Sequence, residues 1–502
     1  MLLKKIIVGG LLICTPLIGI SAESAKTLHD VVSYSVLHNP EVNASWYTFR
    51  AAREEKRAAQ GGYLPSVDLS AQAGSKRSDA PSSSVNNYGT DSVNLTLTQM
   101  LFDGFAVRNN VARLDAASLA RFYELREVSE QKAQEAADAY LDVIRFQRLV
   151  DLAKENYVQH RLLFDDISER AEAGISRGVD LDQAKGRLAL AETNLLTEVD
   201  NLHDVKVRFQ RIVGSLPAEN LQWPELPVER LPQDKERALT VAYAENPSIN
   251  AAIEALNAAK AEVRQKNSPM LPRFDLRLRQ ELEHDRDGVD GRFDDQAVEL
   301  VMSYNLYKGG THSAEKRQFQ ERVNAAWEQR IQACQDVRQT VAIAYNNIAS
   351  QREQLGYLAI NRESTGKARD AYREQFDIGQ RTLLDLLDQE NEYFQVSRSY
   401  VNAEVDLVSA QIATLAGMGS LLAALQVTGY ENLAAEGLDL DGETQGDIEG
   451  RCPAEAPSRL NIDKEQLLQE VMEQAQAAYQ PLTGVKSTPV VSVNDYDTGQ
   501  PL

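Results

Sequence analysis

Cysteine and histidine are scarce in this chain of 502 residues, which contains three cysteines and six histidines. Three cysteines cannot build a disulfide framework, and the histidines show none of the spacings of a metal site. A phosphate-binding loop and a nucleophile elbow are also missing from the sequence. These absences argue against an enzyme and predict neither a cofactor nor a metal ion. Cys334 and Cys452, which follow the N-terminal region, are left open as free or paired.

Long apolar runs are missing too, except at the start of the chain. Lys4 and Lys5 precede the apolar residues 6–20, and a small-residue cleavage site ends at Ala22. This order is typical of a secretory signal peptide, which we place at residues 1–22. A membrane anchor is the alternative, but about 15 apolar residues fall short of the roughly 20 that a spanning helix needs.

Basic residues are outnumbered in this sequence. Removal of Lys4 and Lys5 with the signal peptide leaves 51 basic residues against 74 acidic ones. An excess of negative charge this large repels phosphate groups. The composition therefore argues against nucleic acid and against anionic lipid as partners.

Proline is absent from residues 104–172 and 310–376. As helices, these stretches would each be roughly 100 Å long, at about 1.5 Å per residue. A return helix follows each of them, and the first return helix carries a large apolar residue at every seventh position: Leu181, Leu188, Leu195, Leu202 and Phe209. This heptad pattern predicts that the long helices pack as coiled coils rather than around a globular core.

Two halves of the chain share one plan. Asn39-Pro40 recurs 207 residues later as Asn246-Pro247, and Leu101–Gly104 recurs 205 residues later as Leu306–Gly309. Such a match indicates a tandem repeat. We predict a first repeat at 23–216, a Pro-rich linker at 217–234, a second repeat at 235–424 and an acidic, partly disordered C-terminal tail at 425–502. Each repeat is predicted to open with an unbroken helix, over about 28–60 and 235–266.

Two short alternating stretches follow each opening helix, at about 66–74 and 92–100, and at about 273–283 and 296–306. Apolar residues occupy every second position, which is the pattern of a strand with one apolar face. A soluble β-hairpin fits this pattern, and so does a membrane strand of about 10 residues. Four strands cannot close a barrel, and open sheet edges cannot lie in lipid. If these strands span a membrane, several chains must pool them.

Each long helix ends in a tip that contains glycine, near 174–180 and near 379–388. Gly174 and Gly379 suit a helix C-terminus, where glycine adopts positive φ without a Cβ clash. In the second tip Thr382 can cap the return helix, with Asp385 in its first turn. Asp388 shares a helix face with Asp385. On spacing alone, both aspartates are ordinary first-turn residues that the helix dipole favours.

The repeat plan and its motifs resemble the TolC family of outer-membrane export ducts. The similarity is most specific at Gly379–Asp388, includes the Asn-Pro pairs and Leu101–Gly104, and covers about 28–422. It implies a mainly α fold with a small membrane β part, built as a tandem repeat of helix, strand, strand and long helical hairpin. It also implies a homotrimer, whose twelve-stranded β-barrel is continued by a long α-helical coiled-coil tunnel.

The resemblance also assigns roles to the tip residues. It implies that Asp385 and Asp388 form a ring of carboxylates at the periplasmic entrance. The implied latch that closes this entrance consists of Asp180, Arg381 and Phe376. Phe376 lacks the hydroxyl of the family's tyrosine, Val179 lacks a second hydroxyl, and an exposed ion pair contributes only about 0–1 kcal/mol. We therefore expect a weaker latch than in the family model.

For function, the resemblance implies a passive export duct in the outer membrane of a Gram-negative bacterium. Its implied partners are outer-membrane lipid, a periplasmic adaptor protein at the hairpin tips, and an inner-membrane ABC exporter or proton-driven pump. The acidic tail, with Arg451-Cys452-Pro453, resembles the tails of ducts that serve large secreted adhesins and favours type I protein secretion. A multidrug efflux duct is the first alternative, and a periplasmic coiled-coil scaffold without a pore is the second.

Overall fold

The computed structural model describes residues 26–80, 83–430, 432, 466 and 469, with no side chains described at 78–86. The predicted signal peptide lies outside the described residues, as does nearly all of the predicted tail. The chain divides into two compact units, Met1–Ala456 and Pro457–Leu502, and every element described below belongs to the first.

The two halves of the chain form the same series of elements. The first half contains α1 (Leu28–His38), α2 (Pro40–Gln60), β1 (Ser66–Ala80), β2 (Ser83–Phe102), α3 (Ala106–Glu172) and α4 (Gly178–Val213). The second half contains α5 (Lys235–Glu245), α6 (Pro247–Lys266), β3 (Arg273–His284), β4 (Arg292–Ser303), α7 (Thr311–Asp377), α8 (Leu383–Gly417) and the short α9 (Leu421–Ala424). The predicted mainly α fold with a small β part is confirmed.

The opening helix of each half is broken, so the prediction of unbroken helices over 28–60 and 235–266 is wrong. Asn39 and Asn246 adopt extended backbone, with ψ of 127° and 124°, because the ring of a following proline disfavours helical backbone at the preceding residue. The side-chain oxygen of each asparagine then accepts a hydrogen bond from the amide two residues on and caps the next helix. Asn246 also donates to the Gly417 carbonyl (2.8 Å), which ties α6 to the end of α8.

The longest helices, α3 and α7, contain 67 residues each. This length corresponds to roughly 100 Å. α3 packs along α4 and α7 packs along α8, so each half presents one long helical hairpin. The predicted heptad seam of α4 is fully buried at Leu188 and Phe209 and partly buried at its other large positions. Among the described residues, every helix is either too short or too polar to span a membrane.

The largest hydrophobic core lies where the short helices pack against the long ones. Tyr140 is fully buried in it, and its hydroxyl lies 2.9 Å from the carbonyl oxygen of Lys26 and 2.5 Å from that of Gln222. Cys334 lies in the same core and is disulfide-bonded. The structure thus decides between the free and paired states that the sequence left open for Cys334.

The strands form one antiparallel sheet in the order β1-β2-β3-β4. β2 pairs with β3, which joins the two halves of the chain. β1 and β2 extend beyond their predicted ends, whereas β4 starts before its predicted first residue and stops at Ser303. Exposed large apolar side chains line one face of the sheet: Val67, Leu69, Val93, Leu95, Leu278, Val298, Leu300 and Met302. Two features of the sheet are therefore available for contacts with other molecules: its exposed apolar face and the unpaired edges of β1 and β4.

Candidate functional site

The hairpin tips are the two turns that join α3 to α4 and α7 to α8. Gly174 and Gly379 adopt φ of 71° and 75° in these turns. A residue with a Cβ is strained at such φ values, so glycine permits the sharp reversal of each hairpin. Nothing lies within 4 Å of where a Cβ would stand on either glycine. These two glycines therefore serve the backbone turn rather than close packing.

Asp385 is held in the first turn of α8 by Thr382. Its carboxylate accepts hydrogen bonds from the Thr382 hydroxyl (2.8 Å) and the Thr382 amide (3.2 Å). The Thr382 hydroxyl oxygen in turn accepts a hydrogen bond from the Asp385 amide (3.3 Å). The hydrogen bond from the hydroxyl lowers the pKa of Asp385 below its ordinary value. Asp385 therefore carries a negative charge at the tip throughout the physiological pH range.

Asp180 has the corresponding place at the first tip. Its carboxylate accepts hydrogen bonds from the Arg177 amide and from the Arg177 Nε, both at 3.3 Å. The Ser176 hydroxyl lies 3.4 Å from the same carboxylate. Asp180 and Asp385 thus each accept a hydrogen bond from a backbone amide of their own turn.

The second aspartate of the predicted ring binds across to the other hairpin. Asp388 Oδ1 on α8 lies 2.5 Å from the Arg187 Nη2 on α4. Both side chains are partly exposed, so the pair contributes about 0–1 kcal/mol. Sequence reasoning missed Arg187, because the two residues are 201 positions apart and no local pattern connects them. Arg187 neutralises part of the charge that Asp388 was predicted to bring to the ring.

Phe376 packs at the junction of the two hairpins. It contacts a small apolar cluster whose buried members are Ile167, Ala184, Leu383 and Leu387. The guanidinium of Arg170, on α3, lies 5.4 Å from the centre of the Phe376 ring. The aromatic ring therefore holds the two tips together by apolar and cation–π contact.

Arg381 is bound within its own hairpin. Its Nε donates to the Gln375 Oε1 (3.0 Å), and its guanidinium lies 4.2 Å from the centre of the Tyr372 ring. Within one chain, the structure does not bring Arg381 and Asp180 together. The pairing of these two residues stays a prediction about neighbouring chains.

A layer of buried carboxylates lies behind the tips. Glu390 is 3% exposed and binds Arg373 (2.8 Å), which also donates to Gln159 of the first hairpin (2.7 Å). Desolvation raises the pKa of Glu390, and the charges of Arg373 and Arg369 oppose this rise. Glu198 on α4 is also buried and pairs with Arg398 on α8. The contacts of Arg373 with Gln159 and of Arg398 with Glu198 thus join the two hairpins behind the tips.

His160 lies on α3 behind the Arg187–Asp388 pair. It is 4% exposed, and its Nδ1 has no hydrogen-bond partner. Burial, together with the nearby charge of Arg187, lowers the pKa of His160 to about 4. His160 is therefore neutral at neutral pH, and its protonation would place a second positive charge close to Arg187.

The described residues at the tips do not form a metal site. Over the residues that the structure describes, no group of three or more histidine, cysteine or acidic side chains is placed to hold a metal ion. The tips instead combine exposed acidic residues, one ion pair between the hairpins and an apolar contact. Such an arrangement can control passage through a narrow opening by charge and by movement of the hairpins.

Long helical hairpins attached to a sheet with an exposed apolar face define the chain as an outer-membrane channel component. The family model described as outer membrane efflux protein matches residues 31–215 and 238–420, which is one match in each half. The chain belongs to this family. It is an efflux or secretion channel of the TolC type, located in the outer membrane of a Gram-negative bacterium.

Several known proteins are similar over most of their length. The chain is 28% identical to outer membrane efflux protein BepC of Brucella suis, covering 85% of this chain and 93% of BepC. It is 25% identical to outer membrane protein TolC of Escherichia coli, covering 80% and 84% of the two chains. It is 22% identical to alkaline protease secretion protein AprF of Pseudomonas aeruginosa, over 77% and 83%.

Solved structures show the same fold. A membrane protein from Pseudomonas aeruginosa matches with a TM-score of 0.71 at 19% identity, covering 78% of this chain and 93% of that one. The outer membrane protein VceC from Vibrio cholerae matches with a TM-score of 0.68 at 18% identity, covering 78% and 96%.

The depressed pKa of His160 predicts a loss of stability in acid. The unfolded chain takes up a proton near pH 6.5, whereas the folded chain resists protonation down to about pH 4. The contribution of His160 to the free energy of unfolding therefore falls by about 3 kcal/mol as the pH drops from 6.5 to 4, and this contribution is constant above pH 6.5. His160→Gln should remove this slope in thermal unfolding measured at pH 7 and pH 4.5. His203→Gln, at an exposed position on α4, is the matched control. Equal slopes in wild type and His160→Gln would contradict the assignment.

Proposed function

We propose that three copies of this chain form one channel across the outer membrane and extend it as a helical duct into the periplasm. The observation that carries this proposal is the sheet with two open edges and an apolar face, attached to hairpins of roughly 100 Å. Three sheets of four strands can close into a barrel that leaves no edge in lipid. The long hairpins then line a passage that ends at the tips.

The tips form the periplasmic gate of this duct. Asp385 and Asp388 are placed to form a ring of carboxylates around the entrance, in which Asp385 carries the larger share of free charge. Asp388 is bound by Arg187, and this ion pair links the two hairpins of one chain. Asp180, Arg381 and Phe376 remain the latch residues: Phe376 acts within a chain, and the pair of Asp180 and Arg381 acts between neighbouring chains.

The partners follow from the lack of an energy source in the chain. A passive duct needs an inner-membrane transporter and a periplasmic adaptor protein that connects the transporter to the tips. The exposed apolar side chains at the tips, Ile175, Val179, Ile378 and Leu384, offer the adaptor a contact surface. The duct itself has no catalytic role in this scheme.

Type I protein secretion is the task that we assign to the duct. The basis is the acidic region beyond residue 424, which follows the part of the chain that the family model matches. The relatives divide between two tasks by name, since AprF is a protease secretion protein and BepC is an efflux protein. Drug efflux is therefore the competing function, whereas the family match rules out the pore-free scaffold that the sequence left open.

The charges at the tips predict a difference between two matched substitutions. Asp385→Asn should reduce the cation preference of the purified channel more than Asp388→Asn does, because Arg187 already compensates Asp388. Asp388→Asn and Arg187→Gln should instead raise the conductance of the closed channel about two- to fivefold, as loss of an exposed ion pair allows. Both effects are measured in planar bilayers, from the reversal potential in a salt gradient and from single-channel currents. Equal loss of selectivity in the two Asp→Asn variants would contradict the division of roles.

The assigned task predicts which phenotype accompanies loss of the protein. A strain without this chain should lose a large protein from its surface and medium, while its susceptibility to drugs changes less than about twofold. Complementation with a chain truncated after Ala456 keeps the first compact unit, including Cys452, and tests the rest of the tail. Heat-resistant trimers in outer-membrane fractions serve as the control for assembly. Raised drug susceptibility with normal secretion would favour efflux, and absence of trimers from the outer-membrane fraction would refute the proposed assembly.

A further inference from the structure

The disulfide bond of Cys334 has few candidate partners. The chain contains two other cysteines, Cys14 and Cys452. Cys14 lies in the apolar run of the predicted signal peptide, which cleavage after Ala22 removes. Cys334 is 3% exposed in the largest hydrophobic core, so the same cysteine of a second copy cannot reach it while both chains are folded. Cys452 is the partner that the mature chain itself offers.

The compartment allows a bond between these two cysteines. Disulfides form and persist in the periplasm, through which an outer-membrane protein passes. The two thiols lose two protons and two electrons when the bond forms. A periplasmic thiol–disulfide exchange protein accepts them, and its own disulfide becomes two thiols. Because the Cys334 sulfur is buried in the folded chain, this exchange takes place before the core closes around it.

The last continuous stretch of described residues ends at the same core. Val427 is 5% exposed within it, and the ring of Tyr430 stacks on the ring of Trp46 with 5.4 Å between their centres. Cys452 follows Tyr430 by 22 residues. Such a segment spans up to about 70 Å when it is extended. Since Tyr430 and Cys334 both pack in one core, the segment is long enough to join them within one chain.

The face of α7 that carries Cys334 is positively charged. Arg330 and Arg338 lie four residues before and four residues after Cys334, so the three side chains share one face of the helix. The guanidinium of Arg330 lies 4.8 Å from the centre of the Trp327 ring on the same helix. Burial raises the pKa of Tyr243 on α5, and the charge of Arg338 opposes this rise, which places Arg338 close to α5. Two guanidinium groups thus flank the sulfur of Cys334.

The segment that leads to Cys452 has the opposite charge. Between residues 431 and 451 it contains one basic residue, Arg451, and seven acidic ones: Glu431, Glu436, Asp439, Asp441, Glu443, Asp447 and Glu449. Carboxylates and guanidinium groups attract each other, and they form charge-assisted hydrogen bonds when they meet. The charge of this segment therefore complements the charge beside Cys334.

We propose that Cys334 is bonded to Cys452 of the same chain and that the acidic segment 433–451 lies along the face of α7 that carries Arg330 and Arg338. This pairing concerns a single chain and does not depend on the proposed trimer. Cys334 is 23 residues from the first residue of α7 and 43 residues from its last. These separations correspond to about 35 Å from the start of the helix and about 65 Å from the tip. The bond thus holds residue 452 on the wall of the proposed duct, far from its entrance.

Peptide mapping of the protein purified from outer membranes tests the pairing. Trypsin cleaves after arginine and releases Cys334 in peptide 331–338 and Cys452 in peptide 452–459. After free thiols are alkylated in denaturant, digestion without reductant should give these two peptides joined, and a reductant should separate them. On a non-reducing denaturing gel the protein should run as a monomer. Alkylated peptide 331–338, its linkage to a peptide with Cys14 or to itself, or covalent dimers would overturn the pairing within one chain.

Two serine variants give an independent measure of the bond. Cys452→Ser should expose one thiol per chain to alkylation in denaturant, whereas the wild-type protein exposes none before reduction. Cys14→Ser is the matched control and should keep both remaining cysteines protected, because the predicted cleavage removes position 14. Full protection of Cys334 in the Cys452→Ser variant would refute the assignment.

Limited proteolysis tests where the acidic segment lies. A glutamate-specific protease has three sites within it: Glu436, Glu443 and Glu449. Arg338→Gln should speed cleavage at these sites about two- to fivefold, as the loss of an exposed ion pair allows. Arg317→Gln, at an exposed position 21 residues earlier on α7, is the matched control and should leave the cleavage rate unchanged. Equal rates for Arg338→Gln and the wild-type protein would overturn the placement of the segment on this face of α7.

Discussion

The open edges of a four-stranded sheet constrain the rest of this structure. An edge strand presents unpaired N–H and C=O groups, and lipid offers nothing that can satisfy them. β1 and β4 are both edges within one chain, and the apolar face between them is exposed. The sheet therefore needs a partner strand at each edge, and in the proposed trimer each further copy that supplies one brings two hairpins of 67-residue helices with it. In the proposed channel, the need to pair both edges of the sheet therefore sets both the number of strands in the barrel and the number of helices around the passage.

Tandem duplication makes this requirement easy to meet. Because the halves share their strand pairing, the proposed trimer contains six similar units. The junction inside the chain is complete, with Gly104 closely packed against the Ser268 carbonyl. At Gly309, the equivalent of Gly104, no described residue lies within 4 Å of a built Cβ.

Local patterns predicted much of this fold, and contacts between distant segments account for the rest. Absence of proline and the heptad spacing were sufficient for the long hairpins, since both properties act along one helix. The break at Asn39 was visible as an Asn-Pro pair, but the helical composition on both sides concealed it. At the tips, the cap of Thr382 on α8 follows from spacing, whereas Arg187 meets Asp388 only because two hairpins pack together. The extra length of β1 has a similar cause: its polar end pairs with β2 without any alternation in the sequence.

The contacts between the hairpins change in kind with distance from the tips. At the tip, the pair of Arg187 and Asp388 is partly exposed and contributes about 0–1 kcal/mol. Ten residues further along α8, Arg398 binds the buried carboxylate of Glu198. Loss of Arg398 alone would leave that carboxylate buried without a partner, which costs about 3–5 kcal/mol, whereas separation of the hairpins would return both charges to water. The exposed ion pair at the entrance therefore suits the part of the proposed gate that must open, whereas a substitution at the buried pair is expected to destabilise the folded duct wall itself.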